Sequence, residues 1–108
     1  MKPLTFKRLR KTNVLRCETA FKHCLRDWSL AEWSNAMAGE CGEAANITKK
    51  MLRGDKTLKE HREELAKEIA DVVVYADLLA AAADIDLEQA VIQKFNEVSD
   101  RKKSKIKL

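Results

Sequence analysis

Apolar residues recur along much of this chain with the period of a helix, and each long run of them has its own start signal. Ser29 stands three residues before Glu32, a pairing in which hydroxyl and carboxylate satisfy the free backbone donors of a first turn. The stripe that follows, Trp33, Met37, Ala44, Ile47 and Met51, predicts a helix that stops at Gly54. Thr57 and Glu60 repeat the signal and open a second helix through Leu65, Ile69, Val72, Tyr75 and Leu79 to about Ala83. Asp86 and Gln89 predict a third capping box, followed by Ala90, Val91, Phe95 and Val98. Upstream the pattern weakens. Residues 18–27 predict a short helix with Ala20, Phe21, Cys24 and Leu25 inward, and residues 1–17 read as an extended arm.

With 108 residues the chain is expected to be one domain: arm and short helix to residue 27, helical core over 28–104, and a basic tail over 105–108. Only 3 Gly and 1 Pro leave little for tight β-turns, so the expected class is all-α. The short Gly54-Asp55-Lys56 connection predicts an antiparallel hairpin of the two longest helices. Three or four helices around a polar centre bury little core, so association of subunits is expected to complete the bundle.

The acids break the apolar pattern. Around Glu40, the residues Trp33, Ala36, Met37, Ala44, Ile47 and Met51 fall within about 60° on a helical projection, with Glu43 about 60° to one side. Around Glu68, the residues Leu65, Val72, Tyr75, Leu79 and Ala82 fall within the same arc, and Asp71 sits at its edge. Each helix therefore turns two carboxylates, one turn apart, toward the face it should bury. Four such groups need protonation, a basic partner or a divalent cation. Neither stripe has a basic residue at its centre; Lys50, beside Glu43, comes nearest. All-oxygen ligands suit Mg²⁺ or Mn²⁺. A di-iron bundle would require Glu-x-x-His pairs, and neither His23 nor His61 lies three residues after a Glu.

Composition narrows the classes further. The longest apolar run, Leu78 to Ala83, is far short of the roughly 18 residues of a membrane span, and no signal segment follows the basic start. A cytoplasmic protein is expected, in the host cell if the chain is phage-encoded. Cys17, Cys24 and Cys41 match no disulfide framework or zinc spacing. The net charge of +4 gathers at the ends, in Lys2, Lys7, Arg8, Arg10, Lys11 and Arg16 and in Arg101, Lys102, Lys103, Lys105 and Lys107. Basic ends suit polyanions, either nucleic acid or nucleotide phosphates.

Glu40-x-x-Glu43, 24 intervening residues and Glu68-x-x-Asp71 resemble the signature of the MazG-like, all-α nucleotide pyrophosphohydrolases, particularly their bacteriophage-encoded members. The flanks agree: Gly39-Glu40-Cys41-Gly42-Glu43-Ala44-Ala45 with Lys49-Lys50 after it, Glu64 to Val72 running on to Tyr75, and Lys94 to Arg101 near the end. The likeness spans roughly residues 28–108. It implies hydrolysis of a nucleoside triphosphate to monophosphate and pyrophosphate, with purine deoxynucleotides (dGTP, dATP) favoured, in a homodimer or homotetramer. Glu40, Glu43, Glu68 and Asp71 are then the metal ligands, and Glu43, at the stripe's edge, is the candidate general base. Lys50, Lys94 and Arg101 are candidates for phosphate contacts, and Tyr75 and Trp33 for sugar or base. The rival classes are a nucleic-acid-binding module using the basic ends and a nucleotide-binding regulatory protein without turnover. Nothing reads as a helix-turn-helix recognition helix or an aromatic-rich binding strand, so nucleic acid is the weaker expectation.

Overall fold

The structure is a computed structural model and describes residues 2–108. Four helices carry the chain: α1 (Phe6–Thr19), α2 (Leu30–Leu52), α3 (Leu58–Ala82) and α4 (Leu87–Arg101), with a short 3-10 turn at Leu25–Asp27. No strand occurs among the described residues. The fold is all-α.

Starts of α2 and α3 follow the sequence signals. Ser29 Oγ accepts from Glu32 N at 3.2 Å while Glu32 Oε2 accepts from Ser29 N at 2.7 Å. Thr57 and Glu60 close the same reciprocal pair at 3.4 and 3.1 Å. The third box is half made: Asp86 Oδ1 accepts from Gln89 N at 3.1 Å, and the return bond from Gln89 is absent. Helix ends share one device. Lys22 (φ 52°), Gly54 (φ 80°), Asp84 (φ 58°) and Lys103 (φ 57°) each turn left-handed, letting the next residue's amide reach back to a carbonyl of the last turn. Only Gly54 adopts that conformation without a Cβ penalty.

The first quarter of the chain departs from expectation. Residues 6–19 are helical, capped by Thr5 Oγ1 accepting from Arg8 N at 3.0 Å, where the pattern suggested an arm. The reason is the kind of surface buried. Asn13 and Cys17 are the buried residues of α1, and Asn13 Nδ2 donates to Val74 O at 2.9 Å and to Asp77 Oδ2 at 3.1 Å. Arg10 Nε meets Asp77 Oδ1 at 3.0 Å, and its Nη2 donates to Ile85 O at 2.9 Å. A polar seam of this kind leaves no apolar period to read. The expected short helix over 18–27 reduces to the 3-10 turn, with Ala20, Phe21 and Cys24 exposed and Leu25 half-buried.

Helices α2 and α3 pack along their length as an antiparallel hairpin, and α1 lies on α3. The main core sits where these three meet: Cys17, Trp33 and Leu78, with Leu25, Val74, Tyr75, Leu79 and Ala82 against them. Toward the Gly54 turn, Ile47 and His61 are buried. Ile69, expected inward, is 52 % exposed, because it stands about 100° round the helix from Glu68. Helix α4 meets the rest of the chain mainly through α1, and its apolar stripe stays open: Val91 and Phe95 are exposed.

Candidate metal centre

The hairpin brings the two acid pairs together. One carboxylate oxygen each from Glu40, Glu68 and Asp71 lie within 4.8 Å of one another. Glu43, one turn beyond Glu40, is exposed at the rim beside Glu40 and Glu68. The i,i+3 spacing on each helix sets this arrangement, since residues three apart share a face and positions equally far from the Gly54 turn come into register across an antiparallel pair.

Among the described residues, no Lys or Arg pairs with any of the four. The charged neighbours of Glu40 and Glu68 are other carboxyls, which donate nothing once ionised. Accordingly Glu40 Oε2 and Glu68 Oε2 are buried without a hydrogen-bond donor. Burial, then the charge of Glu43, raises the Glu40 carboxyl above its ordinary range. The adjacent Glu43 carboxyl, burial and the surrounding negative charge push Glu68 up to about 7. Orphaned buried oxygens and raised carboxyls together mark a cluster of acids that repel one another and have no basic partner. The donor set, all oxygen and with room left by exposed Glu43 and Asp71, fits Mg²⁺ or Mn²⁺.

The remaining expected contacts are placed unevenly. Trp33 is 2 % exposed and its Nε1–H is donated to Leu25 O at 2.9 Å, so its ring is a wall of the core and not a free stacking surface. Tyr75 is half-buried against that same core. Lys50 is exposed and its charge falls on Glu64, one turn before Glu68, so it stands beside the acids without pairing with them. Lys94 pairs with Glu97 at 3.3 Å on α4, and Arg101 ends that helix. Helix α4 does not run along the hairpin, so this chain does not bring Lys94 and Arg101 to its own acids.

Three features escape the apolar pattern. Asp77, fixed by Arg10 and Asn13, is 1 % exposed. His61, 2 % exposed, shares its Nδ1 with Glu64 at 2.9 Å and leaves Nε2 without a partner. Trp28 stacks on Trp33, with ring centroids 4.5 Å apart. Asp77 had a visible signal, a lone acid inside the run from Val72 to Ala83; the other two had none. Two cavities lie away from the acids. One of about 510 Å³ lies between α1 (Lys7, Arg10, Lys11) and the α3–α4 corner (Asp84, Asp86). Another, of about 570 Å³, runs along α4 at Val91, Phe95 and Val98. The acid cluster reaches the surface through exposed Glu43 and Asp71, and no helix among the described residues is long and apolar enough to cross a membrane.

The chain is similar to the Gene 37 protein of Mycobacterium phage L5, at 35 % identity over 68 residues. That match takes in 61 % of this chain and spans about 60 % of the phage protein's length. No family model matches the chain, and no solved structure matches it.

Proposed function

We propose that this protein is a Mg²⁺- or Mn²⁺-dependent pyrophosphohydrolase of the MazG-like, all-α kind, cleaving deoxynucleoside triphosphates to monophosphate and pyrophosphate. The observation that carries the proposal is the meeting of Glu40, Glu68 and Asp71 within 4.8 Å, with buried oxygens that no donor satisfies. A structural carboxylate in a helical hairpin finds a basic partner or a backbone amide; these find only each other. Likeness to a phage protein agrees with the phage branch of the resemblance without testing it.

Glu40, Glu68 and Asp71 would hold the ion, and Glu43 completes the set from the rim. A bound divalent ion supplies charge neutralisation on phosphate oxygens and acidity to an attacking water. The protein's own part is to fix these four acids on two rigid helices and to accept the water's proton. Glu43 suits that last role because it is exposed at the rim of the cluster, where a water can reach it. Hydrolysis breaks the bridge between the first and second phosphates, water supplying the new oxygen, and yields monophosphate and pyrophosphate.

Assembly into a homodimer or homotetramer belongs to the same reading. Val91 and Phe95 on α4 and Ile69 and Val73 on α3 are exposed apolar residues that a second copy would cover. Sedimentation at micromolar concentration is expected to show a dimer or tetramer. Purine deoxynucleotides are the favoured substrates, and a kcat/KM advantage for dGTP or dATP over dCTP and dTTP of about tenfold, roughly 1.4 kcal/mol, is the expected outcome.

Product analysis by ³¹P NMR tests the central reaction. Monophosphate and pyrophosphate should appear only with Mg²⁺ or Mn²⁺, and chelator should stop them. Diphosphate with orthophosphate, or no turnover of any nucleotide, overturns the proposal.

A further inference from the structure

Charge is distributed along this chain in blocks. Residues 2–19 carry six Lys or Arg and one acid, Glu18, whereas residues 20–100 carry 10 basic side chains against 16 acidic ones. The positive block at the start lies on α1, a helix fixed on its inner side by Arg10, Asn13 and Cys17. A fixed helix sorts its residues by angle. With Arg8 at the origin, Lys11, Thr12, Leu15 and Thr19 fall within about 60°, Arg16 lies about 80° to one side and Lys7 about 100° to the other. All seven are exposed.

No carboxylate cancels these charges. Among the described residues, Arg10 is the one cation of α1 in an ion pair, and Lys7, Arg8, Lys11 and Arg16 are in none. Arg8 donates through Nη1 to the carbonyls of Lys2 and Pro3 at 2.6 and 3.2 Å, which holds Lys2 beside it. The Arg16 guanidinium lies 5.6 Å from the centre of the Phe21 ring, and Phe21 is 67 % exposed. Four cations thus span nine residues, about 13.5 Å of helix, and end at an open aromatic ring. The basic tail is built differently. There Lys107 pairs with Asp100, and Glu97 stands on the same helix.

The patch also has an edge. Across the cavity of about 510 Å³, Asp84, Asp86 and Glu88 face Lys7 and Lys11 without pairing with them. A polyanion is repelled on that side and so lies along Arg8, Lys11 and Arg16. Leu15 is the single apolar residue of the face, too little for the apolar centre of a protein interface or for insertion into a membrane. A row of cations that ends at an exposed ring suits a phosphate backbone that carries bases.

The geometry points to the outer face of α1 as a binding surface for single-stranded nucleic acid, with Lys7, Arg8, Lys11 and Arg16 on phosphates and Phe21 against a base. Such contacts read backbone charge and ring faces, so they need neither a recognition helix nor base-edge readout. This surface is separate from the acid cluster and does not rest on the function proposed above.

The experiment is fluorescence anisotropy of a labelled single-stranded DNA oligomer of mixed sequence, in chelator so that the acids hold no ion. The native chain is expected to bind at low salt, and the logarithm of its affinity to fall with the logarithm of salt by about 0.7 for each cation engaged. Lys7→Gln, Lys11→Gln and Arg16→Gln together should weaken binding at least about tenfold and flatten that slope by about 2. Lys102→Gln, Lys103→Gln and Lys105→Gln together remove the same charge from the tail, and should stay within about threefold of the native chain. The six exchanged cations are exposed, so both triple variants keep the fold. Asp84→Asn with Glu88→Gln should tighten binding. Phe21→Ala should weaken DNA about tenfold and leave inorganic polyphosphate, which has no bases, unchanged. Absence of binding at low salt overturns the inference. So does an equal loss in the two triple variants, which would mean that net charge alone attracts the strand. An equal response of DNA and polyphosphate to Phe21→Ala overturns it too, since the surface would then take any polyanion.

Discussion

Helix α3 carries buried carboxyl groups at two places, and the chain treats them in opposite ways. Asp77, 1 % exposed, has the Arg10 guanidinium at 3.0 Å and the Asn13 amide at 3.1 Å, both supplied by α1. Glu68, two and a half turns earlier, is surrounded by Glu43, Glu40 and Asp71, and keeps an oxygen that meets no donor. Burying a charge costs several kcal/mol unless it is paired, and the chain shows at Asp77 that it has the means to pair one. The difference teaches that the acid cluster, unlike Asp77, draws no basic or amide partner from the chain, which is what the proposed cation would supply. At Asp77 the carboxylate joins two helices; at Glu68 it faces other carboxyls.

The largest effect expected from this contrast is on turnover. Glu40→Gln and Glu68→Gln should each lower Mg²⁺-dependent hydrolysis by at least about a hundredfold, since loss of a direct ligand exceeds the usual cost of disturbing a supporting group. Both variants should fold at least as well as the native chain without metal, because each removes one of four repelling charges. A large loss of stability in Glu68→Gln would place that carboxyl with Asp77, as a structural partner.

Next comes the structural pair. Arg10→Met leaves Asp77 buried without its cation, and is expected to cost about 2–3 kcal/mol, the lower part of the range for breaking a buried pair because the Arg10 side chain is 30 % exposed. The melting temperature should fall by about 10 °C, while turnover per folded molecule is retained. Equal loss of activity and stability would mean that the two seams act as one unit.

A smaller effect should appear in the pH dependence of the metal-free protein. Glu68 rises to about 7 in the fold from 4.5, so between those values the folded chain holds more protons than the unfolded one. Stability therefore falls as pH rises through that window, and Glu40, also raised, acts in the same direction. Glu60 and Glu64 run the other way: Thr57 holds the first below its usual range and His61 the second, so their contributions fade as pH falls below about 4.5. Melting curves from pH 4.5 to 7.5 should slope downward for the native chain and be flatter for Glu68→Gln.

How much of this was legible in the sequence depended on what each element buries. Helices α2 and α3 bury apolar stripes and open on reciprocal caps, so Ser29, Thr57 and Gly54 marked their limits, and four acids out of place on those stripes marked the site. Helix α1 buries Asn13 and pairs Arg10 with a residue 67 positions away, and a hydrophobic period records neither. Trp33 stood at the centre of a stripe and proved to be core. Its neighbour Trp28, outside any periodic run, holds the exposed ring. Lys94 and Arg101 lie on α4, whose direction is set by the corner at Asp84 and not by any pattern in the helix itself.

The most direct test of the account is the melting temperature of three chains with and without Mg²⁺: native, Glu68→Gln and Arg10→Met. An ion that binds only the folded state at a hundred times its dissociation constant adds about 2.7 kcal/mol, or roughly 10 °C and more for a chain of this size. The account predicts that rise in the native chain and in Arg10→Met, the latter from a lower starting point, and little or none in Glu68→Gln. No rise in the native chain, or an equal rise in Glu68→Gln, would contradict it.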